Sequence, residues 1–227
     1  MDMRRVIAGV IAQEEDDAAL SFTHNEFYAI DLNASTWGSH TYTIDIGTAA
    51  SDRIVVLAIG TVGGGTDQTR TSVTIGGNAA TLAVEGTSYF GNADIWYLEV
   101  ASGTSASVVV NKNASTKGRL MISSYSLYGA ASATPVDTKQ TTNNGTGLSP
   151  VQTLTPAYSG SAVTIASYKT GATDPAAVGS FDVITTDGED MELVMAGSDL
   201  GTAQAITGTN TGDGSVNYIS MVTASWQ

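Results

Sequence analysis

The chain has 227 residues, 42% of them apolar, and 22 acidic against 9 basic side chains give a formal net charge of −13. That is enough apolar chain for one large β domain or two small ones, and the lack of clustered Lys and Arg argues against direct nucleic-acid binding. With no cysteine and 14% charged residues, the fold stands without disulfides or thiolate ligands, and its Thr, Ser, Gly and Ala suit short strands and turns better than long amphipathic helices.

The N-terminal stretch 6–12 is apolar but short. Gly9 interrupts it and Glu14-Glu15-Asp16-Asp17 follows at once, so export by a secretory signal is not expected. No segment approaches the roughly 20 apolar residues that cross a bilayer as a helix. Val6 with Val10 and Ile7 with Ile11 have i, i+4 spacing, which fits a short helix or an arm that orders on a neighbouring subunit. Residues 1–40 are read as this arm and a lead-in.

From His40 to Ile46 the sequence alternates, with Tyr42, Ile44 and Ile46 on one face, which predicts a half-exposed strand. Ile54 to Ile59 then form the longest unbroken apolar run. Six residues rich in β-branching fit a strand buried on both faces. Since one face of a sandwich sheet normally meets water, something must cover it: an added loop, the N-terminal arm or another subunit. Gly63-Gly64-Gly65 marks a loop, and 71–75, a Gly76-Gly77-Asn78 turn and 80–84 read as a hairpin. Strands are expected over 93–100, 107–110 and 119–128.

Residues 130–157 hold Pro135, Pro150 and Pro156 and read as a long connection. Strands follow at 162–168, 181–185, 191–196, 203–207 and 216–226, with turn signals between them. The halves echo each other: 94–98 aligns with 190–194, 103–108 with 201–206, and 120–128 with 218–226. The predicted fold is all-β, an antiparallel β-sandwich of jelly-roll-like or immunoglobulin-like type with an internal pseudo-repeat. It spans 41–227, the alternative being two tandem sandwiches over 41–130 and 157–227.

Motifs for chemistry are sparse. His24 and His40 are isolated and read as surface or turn residues. No Gly-x-Ser-x-Gly elbow or phosphate-binding loop occurs. Asp187-Gly188-Glu189-Asp190, Asn210 and Asp213-Gly214 offer oxygen ligands for calcium, although Asp-Gly is also an ordinary strand turn. Asp94, Glu99, Asp190 and Glu192 are carboxylates in strands, without a spacing that marks a glycosidase pair. Trp37, Tyr89, Phe90, Trp96 and Trp226 are candidates for a sugar-stacking platform or for core anchors. No catalytic, cofactor or metal residue is assigned.

The stretches Arg53–Gly60, Ser72-Val73-Thr74-Ile75-Gly76-Gly77, Ile95-Trp96-Tyr97-Leu98 and Arg119–Tyr128 lie in an acidic, cysteine-free, Thr/Ser/Gly/Ala-rich chain behind an N-terminal arm. This layout resembles tailed-phage virion structural proteins, above all capsid decoration (cement) proteins, with tail or fibre components next. The resemblance implies a non-enzymatic protein on the virion capsid surface that reinforces the shell. Its implied partners are the major capsid protein and copies of itself in a homo-oligomer, without cofactor, nucleic acid or membrane. A carbohydrate-binding module or receptor-binding adhesin is the alternative, and a glycan-cleaving enzyme a third reading.

Overall fold

The computed structural model describes residues 20–32, 36–63, 69–88, 91–145, 151–154, 160–169, 175–178, 183–185, 193–200, 204–210 and 217–227. The strands are β1 (Ser21–Asp31), β2 (Trp37–Asp45), β3 (Ile54–Val62), β4 (Arg70–Ile75), β5 (Asn78–Ala79), β6 (Thr81–Thr87), β7 (Gly91–Glu99), β8 (Ser105–Thr116) and β9 (Arg119–Tyr128). They continue with β10 (Asp137–Gly145), β11 (Val151–Leu154), β12 (Gly160–Lys169), β13 (Pro175–Val178), β14 (Val183–Thr185), β15 (Leu193–Leu200), β16 (Gln204–Asn210) and β17 (Asn217–Ser225). The protein is all-β with antiparallel sheets packed together, as the turn spacing predicts. The N-terminal segment 1–19, read as arm or helix, lies outside the described residues. The rest of the lead-in is sheet: 21–31 is β1, and position 40 falls within β2.

Among the described residues four sheets form, ordered β1-β9-β3-β7-β6, β2-β8-β4-β5, β10-β17-β12-β15-β14 and β11-β16-β13. The order repeats. Taken in chain order, β1, β3, β6, β7 and β9 of the first sheet occupy the places of β10, β12, β14, β15 and β17 in the third. Likewise β2, β4 and β8 of the second match β11, β13 and β16 of the fourth. The aligned stretches 120–128 and 218–226 fall on β9 and β17, which hold equivalent places.

The central strand β3 is buried along its whole length. Val55, Leu57 and Ile59 point to the second sheet and pack with Ile44, Ile46, Val73, Ile75, Val108 and Val110. Ile54, Val56 and Ala58 point the other way and pack with Ile95, Tyr125, Val222, Ala224 and Trp226. Cover over the second face therefore comes from within the chain. It is the third sheet of the same chain, whose β17 carries Val222 and Ala224. Each such aliphatic side chain contributes about 1.5–3 kcal/mol on burial, so a strand apolar on both faces is stable only in the middle layer of three.

Turn chemistry follows the sequence. Ile75 pairs with Asn78 across Gly76-Gly77, whose φ angles are 59° and 82°. Two consecutive positive φ values define the type I′ hairpin that glycine adopts without steric cost. At the other end of β3, a Cβ on Gly63 would sit 2.6 Å from Gly118 Cα, so this glycine serves a close approach of two backbones. Its neighbours Gly64 and Gly65 lie outside the described residues.

Candidate functional site

Three polar clusters brace the first sandwich. The first lies at the end where β3, β4, β7 and β8 meet. Arg70 of β4 grips both carboxylate oxygens of Asp94 on β7 in a buried two-pronged ion pair. Arg70 Nη1 also donates to Thr61 Oγ1 of β3 (2.5 Å), and Trp96 Nε1 donates to the same carboxylate (3.2 Å). Lys112 of β8, the cross-strand partner of Arg70, donates to Thr116 O (2.9 Å) and Thr116 Oγ1 (2.7 Å). Its ammonium lies 4.0 Å from the Trp37 ring centroid. Burial, and then the charge of Arg70, pull Lys112 down to about 8. The indole Nε1 of Trp37 is buried without an acceptor among the described residues.

At the opposite end, Arg53 is 1% exposed. Its guanidinium donates to Val100 O (2.8 Å) from Nε, to Gly47 O (2.8 Å) and Gly103 O (2.9 Å) from Nη1, and to Ser102 O (2.9 Å) from Nη2. Two loops, 47–53 and 100–104, are thereby tied to one planar fork, the geometry that arginine supplies and lysine does not. Beside it a row of hydroxyls on β9 holds the segment leaving β2. Ser124 Oγ donates to Asp45 O (2.6 Å), Ser126 Oγ to Ile46 O (2.7 Å) and Tyr128 OH to Thr48 O (2.8 Å).

The third cluster closes the flank between β1 and β2. Tyr28 stacks on Tyr42 with ring centroids 3.5 Å apart, and Tyr28 OH lies 3.0 Å from His40 Nε2. Tyr42 OH donates to Glu26 Oε1 (2.7 Å), a bond that, with burial and the carboxylate charge, raises Tyr42 to about 12. The other oxygen, Glu26 Oε2, accepts the backbone N–H of Asp45 (2.6 Å).

The sequence candidates are dispersed. His24 and His40 are half-buried strand residues rather than turn residues, and burial lowers both below 6.5. They face opposite sides of the first sheet: His24 lies against Tyr125 and Ser123, while His40 lies against Tyr28. Asp94 is sealed in its ion pair, and Glu99 is exposed five residues further along β7. That separation is roughly 17 Å at strand rise, beyond the ~10 Å of a glycosidase pair. Trp37, Trp96 and Trp226 are interior, at 6%, 6% and 0% exposure, so they form core and not a sugar platform. Tyr89, Phe90, Asp187–Asp190, Glu192 and Asp213 lie outside the described residues, as does the side chain of Asn210. Among the described residues no group of three or more His, Asp or Glu is placed to hold a metal ion.

Sequence reading passed over Glu26, Arg53, Arg70 and Lys112. The available signal was composition: in a chain with 9 basic residues, an Arg or Lys set inside an alternating strand is a candidate for a buried brace.

The fold and these clusters define an all-β, antiparallel sandwich protein whose interior charges serve as cross-ties. No protein-family model matches the chain, and a search of curated proteins returns no match.

Proposed function

We propose that the chain is a non-enzymatic structural protein of a virus particle, binding at the capsid surface and reinforcing the shell through subunit contacts with the major capsid protein and with its own copies. The observation that carries this reading is the use made of buried charge. Arg53 is spent on four backbone carbonyls and Asp94 on Arg70 and Trp96. Such ties make both ends of the sandwich stiff, which suits a part that transmits load between neighbours. The net charge of −13 keeps such a part from sticking to packaged nucleic acid.

The test is co-sedimentation of the purified chain with capsid shells of the virus that encodes it. Saturable binding at a fixed ratio to the major capsid protein is expected, with a raised melting temperature of the decorated shell. Failure to pellet with mature shells at any ratio overturns the proposal.

A further inference from the structure

We infer that the free edge of β2 is a homotypic joint at which two copies of the chain pair antiparallel about a two-fold axis through Thr41, fusing their second sheets into one. The inference rests on that edge alone and stands whether or not the virion reading holds.

The backbone directions follow from the register. Ile46 N–H bonds Thr104 O (2.9 Å) in line with the β2–β8 pairing of Ile44 with Ala106, Tyr42 with Val108 and His40 with Val110. In an antiparallel pair, residues alternate between facing the partner strand and facing away. The N–H and C=O groups of Ser39, Thr41, Thr43 and Asp45 therefore point to the open side, since β2 ends its sheet. Asp45 is already engaged there, its N–H by Glu26 and its carbonyl by Ser124. Ser39, Thr41 and Thr43 remain, all exposed.

Edges are usually guarded by shortness, bulges, charge or proline. The other described edges are. β5 has 2 residues, β14 has 3 and β11 has 4. β6 carries a bulge between Leu82 and Val84, followed by Glu85. β1 is bulged between His24 and Glu26, β10 bears the exposed Lys139, and β13 opens on Pro175. β2 is itself irregular between Trp37 and Ser39, but from Ser39 to Thr43 it carries no further bulge, formal charge or proline.

A second copy is the occupant that fits best. With the axis through Thr41, that residue opposes itself and Ser39 opposes Thr43. Three pairs then exchange two backbone bonds each, and hydroxyl side chains meet hydroxyl side chains, which is a favourable cross-strand combination. The two Asp45 carboxylates fall at opposite ends of the joint. On a chain of net charge −13, copies meet at least cost where no charge opposes its like.

The absence of native cysteine makes the test clean. Thr41→Cys places two thiols face to face and is expected to give a covalent dimer under mild oxidation. The Thr43→Cys copies lie roughly 13 Å apart at strand rise, beyond disulfide reach, and are expected to stay largely uncrosslinked. Thr41→Pro deletes an edge N–H without touching a β8 bond, and should turn a light-scattering dimer into a monomer with unchanged circular dichroism. A wild-type chain that is monomeric at every concentration reached, or equal cross-linking of the two cysteine variants, overturns the inference.

Discussion

Arg53→Met is the sharpest test of whether buried charge braces this fold. The substitution keeps most of the apolar stem and removes the guanidinium, leaving four carbonyls, those of Gly47, Val100, Ser102 and Gly103, without their donor. A hydrogen bond contributes about 1 kcal/mol net, and more when one partner is charged. The four together are worth about 4 kcal/mol, reduced somewhat because the variant no longer desolvates a cation. That is a large share of the roughly 5–15 kcal/mol that holds a domain folded. Urea unfolding followed by tryptophan fluorescence measures it, since Trp37, Trp96 and Trp226 are all buried and report loss of the core. Hydrogen exchange supplies the local readout: the amides of Ile46 and of position 53, bonded to Thr104 O and Ala50 O in the unsubstituted chain, should lose protection first. Arg53→Lys should recover little, because one ammonium cannot serve carbonyls on two loops. A loss under about 1 kcal/mol for Arg53→Met, with loop protection intact, would refute the brace.

Three further outcomes follow from the packing and titration. Trp226→Ala removes a fully buried indole that donates to Ala133 O (2.7 Å) and packs edge-on against Tyr97, and should cost about 3–5 kcal/mol in the same urea assay. Gly77→Ala meets no neighbouring atom yet sits at φ 82°, so its cost of about 1 kcal/mol should be purely conformational and absent for D-alanine introduced by chemical ligation. Lys112 binds its proton with a pKa of about 8 when folded against 10.5 for the free side chain, so between those values the unfolded chain holds more protons and stability rises with pH. Lys112→Met should flatten that rise in melting temperature between pH 8 and 10; above 10 the raised Tyr42 adds the opposite slope.

Most strands were legible because strand signals are local; 130–157, read as a long connection, instead holds β10 and β11, whose polar Thr, Asn and Gln residues carry no apolar alternation. Alternation over 40–46, the apolar run at 54–59 and the Gly76-Gly77 turn each fix a backbone state from a few residues and form as read. The hairpin read over 71–75 and 80–84, however, ends at Ala80: 81–84 crosses to the first sheet as part of β6 and pairs with β7. β1 was less legible because the bulge between His24 and Glu26 breaks its alternation: Phe22 and His24 face the third sheet with Phe27, while Tyr28 and Ile30 face the second. The polar clusters were not legible at all. Arg70 and Asp94 are 24 positions apart, and Arg53 meets carbonyls up to 50 positions away. No spacing rule encodes such partners, since backbone carbonyls carry no sequence identity.

The doubly buried strand shows how a correct local inference leaves its consequence open. Apolar residues on both faces of β3 require cover, but the run cannot say what supplies it. The repeated strand order does: a sheet with the order of the first lies against it, and Val222, Ala224 and Trp226 enter the same cluster as Ile54, Val56 and Ala58. Position by position β17 is weakly similar to β9, yet both hold the second place of their sheets, next to an edge strand. A chain that repeats its strand order can thus cover the apolar back of one sheet with the back of its counterpart. Neither needs a charged outer face there. That leaves the second sheet on the outside of the first, and with it the β2 edge inferred above to be a homotypic joint.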